Sequence, residues 1–217
     1  MKKTKQKIIQ SSIELFNQKG WTNVRLQDIA DRCGISVGNL AYHYSNKAAI
    51  LQAIDELIQV EIEPVLSKER QFPSLLDFDN QLSHYFFLVN KFAFYFLDLL
   101  ELERNHPNLH KNRQRYIHEM TEQIESWMGL CVSKGVIQPA IQENQYHYIS
   151  QAIWMIITFW MTQQQVKGNH HQDEGEFKTV VWNQLLPVFT PLGLMEYEAM
   201  ILPNLKNLSA LFHENLS

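Results

Sequence analysis

The chain has 217 residues, of which 45% are hydrophobic and 12% aromatic, with a formal net charge of −4, a balance that suits a globular protein with a sizeable core and excludes global disorder. Two cysteines, Cys33 and Cys131, supply neither a disulfide framework nor a metal-ligand spacing and so point to a reducing, cytoplasmic setting. The charge is uneven: residues 1–50 carry eight Lys or Arg against three Asp or Glu and the rest eleven against twenty, and a basic head on an acidic body meets a polyanion, most commonly nucleic acid, with one end only.

The opening MKKTKQKIIQSSIELF is basic, but Ile8-Ile9 gives way at once to Gln10-Ser11-Ser12, so no apolar core of a secretion signal follows. Helical periodicity then dominates, and an all-α fold is expected. The first helix is predicted from about Thr4 to Gln18, with Ile9, Ile13 and Phe16 on one face and Gly20 closing it. A short helix follows, with Leu26, Ile29 and Ala30 as its stripe and Cys33-Gly34 at its end. Ser36 is placed to cap a third helix, Val37 to about Tyr44. Lys47 to about Leu66 repeats apolar residues at three and four, from Ile50 to Ile62, and forms a long helix leading out of the head. This divides the chain into a head, residues 1–46, and a body, residues 47–217.

In the body, residues 75–104 read as one helix, apolar nearly all round at its centre. Its run from Tyr85 to Leu100 is interrupted by Asn90, Lys91 and Asp98 and falls short of the roughly 18 apolar residues of a membrane span. After His106-Pro107 come a helix with Ile117, Met120, Ile124, Trp127 and Cys131 on its stripe, another from Gln145 to Gln165, a polar loop KGNHHQDEGE, a helix from Phe177 to Phe189, and a segment from Leu194 to about Phe212 that Pro203 must kink or split.

Two short helices joined by a tight glycine turn match the helix-turn-helix pattern. The second helix of that motif enters the major groove by its N-terminal end, where Gly38 and Asn39 are small enough for close approach. Asn39 can pair with an adenine edge and Val37 can pack on a thymine methyl. Tyr42, His43 and Lys47, about a turn further on, carry the hydroxyl, imidazole and ammonium that hold phosphates. Tyr44 fits packing better.

The residues Leu15-Phe16, Gly20-Trp21, Ile29-Ala30, Gly34-Ile35-Ser36, Gly38-Asn39-Leu40, His43-Tyr44 and Lys47, in that order, resemble the DNA-binding head of the TetR family of bacterial transcriptional regulators over about residues 4–60. The resemblance implies a homodimer that binds a double-stranded, palindromic operator through residues of the head, with Ser36 capping the reading helix, and a helical body that takes a small-molecule effector. Two positions depart from the family pattern. Arg25 stands where Ser or Thr usually opens the second helix, so a phosphate contact would be made by a longer arm and the cap by Asn23 or water. Ala41 stands where a tyrosine is common, which shifts phosphate holding toward Tyr42.

Seven aromatics between Tyr85 and Phe96 exceed what one buried helix needs. Phe86, Phe92, Phe96, Met120, Trp127, Ile156 and Trp160 can line a cavity for an apolar or aromatic ligand, with Asn90, and Lys91 and Asp98 two turns apart, as polar anchors. The same residues can equally be a filled aromatic core. Arg113 can hold a carboxylate, although a solvated arginine fits better. Trp182, Leu185, Leu186, Val188 and Phe189 are candidates for the dimer contact, with packing inside one chain as the alternative. His170-His171 with Asp173 and Glu174 lack helical ligand spacing, so neither metal nor cofactor is expected. No catalytic grouping or phosphate-cradling loop is present, and the chain reads as a ligand-responsive repressor rather than an enzyme. The alternative is a helical ligand-binding protein whose head is a protein-interaction module.

Overall fold

A computed structural model describes residues 2–66, 74–106, 110–169 and 172–214; Pro107 and the His170-His171 pair lie outside the described residues. Apart from one antiparallel bridge between Ile137 and Phe189, the described regular structure is helical. The chain divides into two compact units, the first made of Met1–Pro64 and Asn90–Arg113, the second of Val65–Val89 and Gln114–Ser217.

In the first unit, α1 (Lys2–Lys19) ends at Gly20, whose φ of 77° is left-handed. The buried stripe of α1 runs through Ile8, Ser12, Leu15 and Phe16, leaving Ile9 only half-buried. Ser12 hides that stripe in the sequence: its hydroxyl donates to the Ile8 carbonyl at 2.7 Å, which lets a polar residue sit fully buried. Three further helices follow, α2 (Leu26–Cys33), α3 (Val37–His43) and α4 (Lys47–Leu66), and the unit takes in α4 as far as Pro64, past the expected end of the head at residue 46. Ile29, Ala30, Leu40, Ile50 and Ile54 close its core.

The expected single helix over 75–104 is three: α5 (Leu75–Lys91), α6 (Ala93–Leu97) and α7 (Leu99–Asn105). The breaks fall at Phe92 (φ −113°, ψ 41°) and Asp98 (φ −91°, ψ 20°). The first is held open from outside the helix. The Asn17 side chain donates to the Lys91 carbonyl at 2.9 Å and accepts the Phe94 amide at 3.0 Å, taking up backbone groups that the interrupted ladder leaves without helical partners. At the second, the Asp98 carboxylate accepts the Trp21 amide at 2.8 Å.

The second unit holds most of α5 together with α8 (His110–Ser133), whose first residues belong to the first unit, and with α9 (Gln145–Val166) and α10 (Glu174–Leu185). A 3-10 turn, Leu186–Val188, leads to α11 (Pro191–Met200) and α12 (Leu202–Glu214), so the last segment splits at Ile201, with Pro203 in the first turn of α12. Phe78 stacks on Trp127 with ring centroids 4.1 Å apart and meets Trp182 edge-on. Beside them a buried ion pair is fully bonded. Asp79 accepts from the Lys178 ammonium at 2.8 Å and from the Trp182 indole at 2.9 Å, Lys178 reaches Glu174 at 3.2 Å, and Glu174 accepts the Ser83 hydroxyl at 2.6 Å.

Candidate nucleic-acid interface

The turn between α2 and α3 is built by backbone bonds that only a left-handed residue allows. Gly34, at φ 66°, donates to the Asp31 carbonyl, and Ile35 donates to Ala30, each at 3.0 Å. Ser36 then turns extended and its Oγ accepts the Asn39 amide at 3.1 Å, which starts α3. Leu40 anchors the helix in the core, and Gly38, Asn39, Ala41 and Tyr42 lie on the opposite, exposed side, with Tyr42 78% exposed. A Cβ at Gly38 would meet only the Ser36 Oγ, at 3.9 Å. Nothing among the described residues therefore requires glycine there.

The flanks divide. Arg25 precedes α2, and its backbone amide donates to the Asp28 carboxylate at 2.7 Å. The cap is thus Asp28, one residue type the sequence expectation did not use, while the Asn23 amide instead donates to the Lys19 carbonyl at the end of α1. The exposed Arg25 guanidinium has no acceptor among the described residues and is available to a phosphate. Val37 and His43 are half-buried, the latter edge-on to Tyr42 at 5.3 Å. Tyr44 packs as expected: it is half-buried under Lys5, and burial, then the Glu56 charge, raises its phenol pKa.

Lys47 sits differently from a phosphate-holding lysine. Its ammonium donates to the carbonyls of Trp21 at 2.7 Å and Val24 at 3.0 Å and lies 4.3 Å from the centre of the Trp21 ring. Burial lowers its pKa, against the pull of Glu101. This ammonium ties down the link between α1 and α2.

Residues 8–54 match the family model described as bacterial regulatory proteins of the tetR family, and residues 58–197 match the TetR model described as a bacterial transcriptional repressor. The chain belongs to the TetR family. Among its relatives, a TetR-family transcriptional regulator from Marinobacter aquaeolei VT8 shares 28% identity and superposes with a TM-score of 0.79 over 94% of this chain and 98% of that one. The regulator CymR of Pseudomonas putida is 25% identical over 61% of this chain and 68% of its own. The Bacillus subtilis regulator YerO is 43% identical over 24% of this chain, a match that spans only 18% of YerO itself. SmeT in complex with triclosan shares the fold, with a TM-score of 0.58 at 15% identity over 87% of this chain and 92% of that one. These are transcriptional regulators, and this TetR-family chain is a helix-turn-helix DNA-binding regulator, not an enzyme. No helix among the described residues is long and apolar enough to cross a membrane. The two thiols of this regulator are buried, with Cys131 pushed up to about 12 chiefly by desolvation.

Several body residues of this TetR-family protein take roles other than those expected. The break at Phe92 removes the common helix face of Lys91 and Asp98: Lys91 pairs with Glu61 at 2.5 Å, and Asp98 holds the Trp21 amide. Arg113 is buried and not solvated. It bonds Glu103 at 2.9 Å and the Leu99 carbonyl at 3.2 Å, and lies 4.0 Å from the Tyr95 ring centre. Of the candidate ligand residues, Asn90, Phe92 and Phe96 belong to the first unit and Phe86, Met120, Trp127, Ile156 and Trp160 to the second. In the second, Phe177 links Phe86 to Trp160 through ring contacts of 5.5 and 5.9 Å. The dimer candidates are corrected by burial: Trp182, Leu185, Val188 and Phe189 are buried within the single chain, and only Leu186 is half-exposed. Their apolar area is already used for intramolecular packing.

Two positions that bond distant segments together escaped the sequence reading. Asn17 looks like a solvated helix residue, and Asp55, fully buried on α4, accepts from Tyr95 at 2.6 Å and Asn112 at 2.9 Å. Asp55 falls on the apolar i, i+4 track between Leu51 and Ile58, which was the available signal.

Proposed function

We propose that this TetR-family regulator is a cytoplasmic homodimeric repressor that occupies a palindromic operator through α3 and leaves it when a small apolar or aromatic ligand binds the body. The observation that carries the reading is the outer face of α3, where Gly38 has no internal reason to be glycine and Asn39 and Tyr42 stand exposed beside it. Val37 and Asn39 read bases, while Arg25, Tyr42 and His43 hold the backbone.

Release follows from how the head is built. Residues 90–113 pack with the head but continue in the chain into α5 on one side and α8 on the other, both of which contribute to the second unit. A ligand that prefers one arrangement of α5 and α8 shifts the bonds of Asn17 and Asp98 in the same population, and operator affinity falls by its differential affinity for the two states. A small aromatic ligand is compatible with this fold, since SmeT holds triclosan.

For the second copy, α9 offers an exposed stripe of Tyr148, Met155, Phe159 and Val166 at helical spacing. A two-fold contact along this stripe supports the homodimer in place of the buried α10 residues.

Footprinting of the purified protein on the DNA flanking its own gene at moderate salt tests the reading. Two symmetric protected half-sites centred about one or two helical turns apart are expected. Absence of sequence-specific protection contradicts it.

A further inference from the structure

The second unit contains buried hydrogen-bond donors without acceptors among the described residues. The Trp160 indole N–H and the Gln164 side-chain amide lie one turn apart on α9, at 6% and 2% exposure, and neither has an acceptor among the described residues. The Gln164 carbonyl oxygen is engaged by Asn169 at 2.7 Å, so the orphaned half of that carboxamide is the donating half. The Trp127 indole N–H, in the stack with Phe78, likewise has none among them. Buried unpaired polar groups are few in folded proteins, and two donors one turn apart on one helix call for a common explanation.

Two further features narrow what would satisfy them. Trp160 is covered by Phe177, which also meets Phe86, so the donors rise from an aromatic wall formed by α5, α9 and α10. The charges nearby on α10 are Glu174 and Lys178, and with Asp79 they form a closed network of two carboxylates to one ammonium, whose excess charge is negative. An anionic ligand would meet that excess in a poorly screened interior. A cation would bring no acceptor to Trp160 or Gln164.

We propose that the effector of this regulator is an uncharged aromatic molecule bearing a carbonyl-type acceptor oxygen, which accepts from Trp160 and Gln164 while its ring packs against Phe86 and Phe177. This rests on the reading of the body as a ligand-binding unit and names the chemical class it takes. A ring of suitable size without the oxygen would bury the same area but leave both donors unpaired.

Calorimetric titration of the full chain with four probes sharing one ring system tests it: 2-acetylnaphthalene, its near-isostere 2-isopropenylnaphthalene, 2-naphthoate and a 2-naphthylmethyl trimethylammonium salt. The ketone is expected to bind about tenfold or more tighter than the alkene, consistent with the typical cost of leaving buried donors unpaired, and tighter than either ion. In Trp160→Phe and, separately, Gln164→Met, the ketone-to-alkene ratio should fall toward one with alkene affinity retained, an effect that loss of packing alone does not produce. Equal binding of ketone and alkene, preference for an ion, no binding of any probe, or a ratio unchanged in both variants overturns the proposal. Operator release is read separately by anisotropy: a ketone that binds selectively but leaves DNA bound contradicts the repressor mechanism and not the ligand class, whereas release without ketone selectivity does the reverse.

Discussion

At Gly34 and at Phe92 the chain ends a helix and turns, and it does so by opposite means. The first stop is local: a left-handed glycine, a backbone bond on either side of it, and a serine two residues on that starts the next helix. The second is made by a residue 75 positions earlier, Asn17, whose side chain takes the carbonyl of Lys91 and the amide of Phe94. A local stop belongs to the motif wherever the motif goes. A remote stop is also a joint, because it exists only while α1 lies against α6, and it ties the DNA-reading head to a segment that continues into the body.

The comparison can be broken by substitutions of graded effect. The largest is expected for Asp55→Ala, which strands the Tyr95 hydroxyl, the Asn112 amide and the Gln59 amide around a fully buried site; urea unfolding should show a loss of about 3 kcal/mol or more, from the usual cost of unpaired buried partners. Asn17→Ala removes the joint itself and should cost about 1 kcal/mol, because its bonds are exposed or only part-buried, with faster amide exchange at Phe94, whereas unchanged exchange there would show that the break does not depend on Asn17. Gly34→Ala forces a Cβ into a left-handed residue that has open space around it, so only the backbone penalty of about 1 kcal/mol applies. Gly38→Ala should raise stability by up to about 1 kcal/mol, since alanine is the better helix former and meets no clash, yet weaken operator binding; parallel losses of both would deny the outer-face role.

The smallest effect concerns His106, whose ring meets Trp21 edge-on at 5.3 Å. Burial, then the Lys47 charge, lowers its pKa below the ordinary 6.5. The unfolded chain therefore takes up that proton first as pH falls, so this contribution to stability is present above pH 6.5 and is lost as pH drops through the folded pKa. His106→Gln should flatten the decline in unfolding midpoint between pH 7 and 5, and an identical decline in the variant would show that His106 does not cause it.

The same contrast explains what could be read in advance. The first four helices, the Gly34 turn, the Ser36 cap and the bounds Lys47–Leu66 rest on signals within a few residues of where they act. The division of 75–104 into three helices does not, because Phe92 and Asp98 carry no breaker chemistry of their own. Arg113 misled for a related reason: a polar side chain reads as solvated until its partner is known, and its partner Glu103 lies on another helix. Lys47 has the spacing of a phosphate contact, but two backbone carbonyls of the same head reach it first. Trp182 and Leu185 read as surface to be covered because their burial comes from packing that periodicity alone cannot separate from a dimer face.

Anisotropy titration of the footprinted operator across a salt series, with Asn39→Ala and Arg25→Ala beside the parent chain, tests most directly whether this head reads DNA through α3. Asn39→Ala should lose discrimination at a single base position, by about 1–3 kcal/mol, with the salt slope unchanged. Arg25→Ala should weaken binding to all sequences alike and flatten the slope by about one ion. Uniform loss on every sequence from both substitutions, with no position relaxed by Asn39→Ala, would contradict the account.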